Sequence, residues 1–111
     1  MVSATLSKSV SVGNGMVSLQ VIIGNGQKGV TTVYLDNTLI LCAAGSFPLG
    51  ADIAGRKLLI QTVVTDINQQ TDQTSVTYIF STVMGDQKFS NSVEVSQNGG
   101  MAHYQCDIDL I

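Results

Sequence analysis

The stretch Ala102-His103-Tyr104-Gln105-Cys106-Asp107-Ile108-Asp109-Leu110 alternates strictly between apolar and polar side chains. Successive side chains of a strand point to opposite faces of its sheet. Ala102, Tyr104, Cys106, Ile108 and Leu110 therefore share an inner face. His103, Gln105, Asp107 and Asp109 share an outer one. A helix would need apolar residues at every third or fourth position, and that pattern is missing here.

Working outward, the same period of two recurs along the chain. Val2, Ala4, Leu6, Val10 and Val12 lie on one face, interrupted by Lys8. Val17, Leu19, Val21 and Ile23 form a second row, and Thr31, Val33 and Leu35 a third with Tyr34 opposite. Leu58, Ile60, Thr62 and Val64, then Val76, Tyr78 and Phe80, then Phe89, Val93 and Val95 repeat the theme. Turn chemistry separates these rows. Gly13-Asn14-Gly15 predicts a tight hairpin, because Asn-Gly tolerates the positive φ angles of a two-residue turn. Gly24 to Gly29 reads as a longer loop, and Asp36-Asn37, Asn68 to Asp72, Gly85-Asp86 and Asn98-Gly99-Gly100 as turns.

Two segments depart from alternation. Leu39 to Ala44 is apolar throughout, which predicts a strand covered on both sides. Residues 45–56 hold Gly45, Gly50, Gly55 and the single proline, Pro48, and read as one irregular crossover between two sheets. The pattern as a whole predicts an all-β chain: a two-layer antiparallel β-sandwich of about eight strands, forming one domain over residues 1–111. A strand with one apolar face leaves it wet in a lone sheet. Closing two such faces together, at about 25 cal/mol per Å² of apolar area, is the dominant stabilising contribution.

Tyr104 stands two residues before Cys106, a spacing that resembles the tyrosine corner of immunoglobulin domains. The resemblance implies an immunoglobulin-like shape and no more. No Trp follows Cys42, and five residues follow Cys106.

Composition excludes several classes. The 111 residues are 44% hydrophobic, too apolar for a disordered chain. No apolar run approaches the ~18 residues of a membrane span. The net charge is −3, and the five cations are scattered among few aromatics, so no nucleic-acid partner is expected. No signal peptide or transmembrane segment is visible, so the expected location is the cytoplasm unless a leader has been removed. Cys42 and Cys106 read as buried thiols acting as small hydrophobes, with a disulfide left open.

Catalytic reagents are sparse. His103 and Cys106 are three apart on a strand and point to opposite faces, and Cys42 lies in an apolar run that would raise its pKa. No catalytic residue, cofactor or metal is expected. His103 and Asp107 would lie roughly 13.5 Å apart along an extended strand, too far for one ion. Asp66, Asn68 and Asp72 place oxygen donors in one loop, as weak Ca²⁺ sites do, but turn hydrogen bonding accounts for the same residues.

The outer faces carry short uncharged side chains such as Ser3, Thr5, Ser7, Ser9, Ser90 and Ser92, and no strand interior is expected to contain proline. Long charged side chains and prolines normally discourage docking on a sheet. The expected function is therefore non-catalytic: protein–protein interaction or structural assembly, with self-association through a sheet face or edge. The alternative is a carbohydrate-binding or adhesin-like module using the 45–56 loop and exposed aromatics. Its binding residues would be Tyr34, Phe47, Asp52 and Arg56.

Overall fold

A computed structural model describes residues 2–42, 45–97 and 99–111, with residues 41 and 42 described by their backbone alone. Nine strands form: β1 (Val2–Val10), β2 (Val17–Ile23), β3 (Lys28–Leu35), β4 (Thr38–Cys42), β5 (Gly45–Gly50), β6 (Lys57–Thr65), β7 (Gln73–Thr82), β8 (Gly85–Glu94) and β9 (Met101–Leu110). They make a five-stranded sheet in the order β1-β9-β6-β3-β4 and a four-stranded sheet in the order β5-β2-β7-β8. The two layers form a β-sandwich. Among the described residues no helix is long and apolar enough to cross a membrane.

Alternation located the core. Val17, Leu19, Val33, Ile60, Val64, Val76, Phe80, Ala102, Tyr104 and Cys106 are fully buried, with Tyr78, Leu58, Ile108 and Leu110 nearly so. Each large apolar side chain removed from water contributes about 1.5–3 kcal/mol. Two polar pairs sit inside this core. Thr31 and Thr62 share a hydroxyl hydrogen bond of 3.0 Å on neighbouring strands β3 and β6. Between the two layers, Tyr104 Oη and Thr74 Oγ1 lie 2.6 Å apart, and Thr74 also donates to the Val93 carbonyl. Tyr104 is thus tied to a side chain of the opposite sheet, unlike the tyrosine corner that its spacing resembles.

Several expectations are corrected. Gly13-Asn14-Gly15 is no hairpin, because β1 and β2 belong to different sheets. β1 instead runs parallel to β9, in register from Val2↔Ala102 to Val10↔Leu110. The sandwich is therefore antiparallel everywhere except at this one pair. Glycine at 13 and 15 serves close packing: a Cβ at either position would collide with the Val83 side chain. Asp36-Asn37 does make the predicted tight turn, with φ of 49° and 66° joining Leu35 to its partner Thr38. The β7–β8 turn falls two residues earlier than expected. Thr82 pairs with Gly85, leaving Val83 and Met84 at the tip, and the positive φ of 105° follows at Gly85.

The irregular segment is half strand. Residues Gly45–Gly50 form β5 against β2, although they include Pro48, so one strand does contain proline. An edge strand has one side without partners, where a missing N–H costs nothing. Only the stretch after Gly50 crosses between sheets, anchored by buried Ile53. Finally, β4 is an edge strand. Leu39 is 56% and Ile40 38% exposed, where both-sided cover was expected. An apolar run signals burial by something, and nothing in its own sheet lies beyond β4.

The cysteines are separated by this order. Cys42 on β4 lies three strands from Cys106 on β9, roughly 14 Å at ordinary strand spacing. A disulfide requires Cα atoms within about 7 Å. Cys106 is a free, buried thiol.

Candidate functional site

The outer face of the five-stranded sheet is organised in rows by strand register. One row runs Ser7, Asp107, Leu59, Tyr34 and Leu39 across all five strands. The next holds Ser9, Asp109 and Lys57. A groove of 730 Å³ lies over these rows, with Tyr34, Asp36, Asn37, Lys57, Asp107 and Asp109 in its lining.

Asp36 organises one end. Its amide donates to the Lys57 carbonyl at 2.8 Å, and its Oδ1 accepts from the Lys57 amide at 2.9 Å. Its Oδ2 accepts from Arg56 Nε at 2.7 Å. The Lys57 amide first, and Arg56 second, hold the Asp36 carboxyl below its ordinary value. The positively curved Asp36-Asn37 turn and the start of β6 are thereby clamped together. Further along the groove, Lys57 Nζ stands 3.8 Å from Asp109 Oδ1, and Gln105 donates to Asp107 Oδ2 at 3.3 Å. The lining thus offers acceptors, a half-buried phenol ring and two lysines, Lys57 beside Asp109 and Lys8. It suits a neutral, hydroxyl- or amide-rich ligand better than an anion.

The four expected binding residues do not converge. Tyr34 lines the groove, and Arg56 reaches the same end through its pairing with Asp36. Phe47 lies on β5 in the opposite sheet and packs partly buried against the core. Asp52 sits exposed in the turn after β5, with φ of 55°. Asp107 and Asp109 were legible only as part of a solvated face, and Lys57 only as the first residue of a strand. Their grouping with Tyr34 depends on register between strands far apart in the chain.

His103 and Cys106 lie on opposite faces of β9. Cys106 faces the interior, and burial, then the Asp107 charge, pushes its thiol up to about 12, so it stays protonated at neutral pH. His103 points outward, between Ser3 and Val63 on the neighbouring strands. Cys42 lies three strands from it. Among the described residues, no three of His, Cys, Asp and Glu converge as a metal-binding group.

A second polar feature was missed. Gln27 is buried at the end of the sandwich where β2 crosses to β3. Its Nε2 donates to the Thr71 and Gln73 carbonyls, and its Oε1 accepts from the Ile67 and Asn68 amides. One side chain thus satisfies four main-chain groups of the 67–73 segment. Its flanking glycines and polar neighbours read only as a loop.

No family model, curated protein or solved structure gives a significant match to this chain.

Proposed function

We propose that this chain is a non-catalytic β-sandwich module, immunoglobulin-like in shape, that serves protein–protein contact or structural assembly and self-associates through a sheet edge. The observation that carries this reading is β4. The strand Thr38-Leu39-Ile40-Leu41-Cys42 has neither charge nor proline, pairs among the described residues only with β3, and exposes Leu39 and Ile40. An edge of this kind offers unpaired backbone groups together with apolar side chains, a template for a further strand. Antiparallel pairing of two β4 strands about a two-fold axis would run one continuous sheet through both copies.

Light scattering coupled to size exclusion tests the reading. The expected result is a dimer that Ile40→Lys returns to monomer. A wild-type monomer at the highest soluble concentration overturns it.

A carbohydrate-binding reading has one specific support, the half-buried Tyr34 beside Asn37 and Asp107 in the groove. It keeps Tyr34 and loses Phe47. Glycan-array binding abolished by Tyr34→Ala would favour it over assembly.

A further inference from the structure

Asp66, immediately after β6, is a buried carboxylate, 1% exposed, and both of its oxygens lack a hydrogen-bond donor. A buried charge in this position is unfavourable unless something compensates it. Its main chain is fully engaged: the Asp66 amide donates to the Gly100 carbonyl, and its carbonyl accepts from the Gly99 amide, each at 2.9 Å. The backbone at Asp66 is therefore held in place, with the carboxyl on its buried side.

Asp72 is a second carboxyl close enough for the two groups to interact. Asp72 is fixed as well, its carbonyl accepting from the Val95 amide at 2.9 Å. Glu94 adds further negative charge nearby, with its Oε2 accepting from Gln73. As a carboxylate, half-buried Asp72 has no proton to donate to the Asp66 oxygens. Asn68 contributes nothing to Asp66. Its Oδ1 caps the Gln70 amide and its Nδ2 donates to the Asn25 carbonyl.

We propose that Asp66 and Asp72 together hold a calcium ion at the end of the sandwich where the 67–71 loop meets Val95 and Gly99-Gly100. Two carboxylates and no nitrogen or sulfur donor make a hard oxygen site, which favours Ca²⁺ over transition metals. Ca²⁺ accepts irregular geometry and completes its shell with water, which enters from the Asp72 side. Mg²⁺ demands near-octahedral ligands and loses water reluctantly, so it fits less well. The ion would neutralise the orphaned Asp66 charge and cross-link the start of β7 to the end of β6. This site lies apart from β4, and its occupancy does not depend on self-association.

Calorimetric titration of CaCl₂ into the EDTA-stripped full chain at neutral pH tests it. Saturable one-to-one binding is expected, with Kd of about 10⁻⁴–10⁻³ M as in low-affinity extracellular sites. Asp72→Asn, at a half-buried loop position, should weaken binding at least about tenfold while circular dichroism keeps its strand signal. Asp66→Asn should do the same, and Tm should rise with CaCl₂ in the wild type alone. No saturable heat overturns the proposal, as do equal Tm shifts from CaCl₂ and MgCl₂ that survive Asp72→Asn. A gain in calcium-free stability on Asp66→Asn together with no calcium binding would mean that the pair shares only a proton.

Discussion

The two edges of the five-stranded sheet are built differently. At one edge, β1 is closed over by β8 of the other sheet. The Ser11 amide donates to Gln87 Oε1, and Gln87 Nε2 donates back to the Ser11 carbonyl at 2.8 Å. Lys8, which interrupts the inner row of β1, lies 5.8 Å over the Phe89 ring. Phe89 in turn meets Phe80 edge-on, with centroids 6.3 Å apart. The charge that breaks the hydrophobic pattern thus covers the seam between the layers. At the other edge, β4 has no counterpart to Lys8 and leaves Leu39 and Ile40 in water. A single sheet therefore has one edge guarded by charge and contact and one left open, which is why the assembly reading rests on β4.

Breaking the guarded edge should have the largest effect. Phe89→Ala removes the half-buried ring that joins Lys8 to Phe80, and should cost about 2–3 kcal/mol in urea unfolding, below the range for a fully buried Phe. A loss under about 0.5 kcal/mol would mean that the seam contributes little to stability. The open edge should behave in the opposite way. Ile40→Lys should change monomer stability by no more than about 0.5 kcal/mol while removing association, because the position lies on an edge strand where a lysine can carry its charge to water. A large destabilisation there would show that β4 is supported by contacts within its own chain.

The smallest effect sharpens the comparison near the open edge, at the turn that launches β4. The folded value of Asp36 lies below its ordinary 3.8. Its contribution to stability is therefore present above 3.8 and is lost as pH falls through the lower folded value. Asp36→Asn should flatten the acid limb of a pH–Tm profile slightly, since the group is exposed and screened. An unchanged acid limb would assign the slope to other carboxylates, and Asp72 has the opposite sign. Its raised value makes stability fall as pH rises through it, unless calcium is bound.

Which way each side chain faces was legible in the sequence for nearly every strand. Tyr104, Cys106 and Ile108 are buried as their alternation implies, and Tyr34 faces out. The Asp36-Asn37 turn was legible too, because its positive φ angles are a local demand. The groove was not. Tyr34 and Asp107 are 73 residues apart in the chain and share a row only through the β3-β6-β9 register. Asp66 was read as one oxygen donor of a polar turn, and nothing nearby in sequence marks it as buried.

Local chemistry by itself determined the strand period, the inner and outer faces, and the places where the chain must turn, since these depend on φ, ψ and side-chain polarity within a few residues. Tertiary structure alone decided which strand meets which. Gly13-Asn14-Gly15 has the same turn chemistry whether it closes a hairpin or passes from one layer to the other. An apolar run such as Leu39–Cys42 has the same composition at the centre of a sheet and at its rim. Pairing is settled by burial summed over distant segments, and no short window of sequence contains that sum.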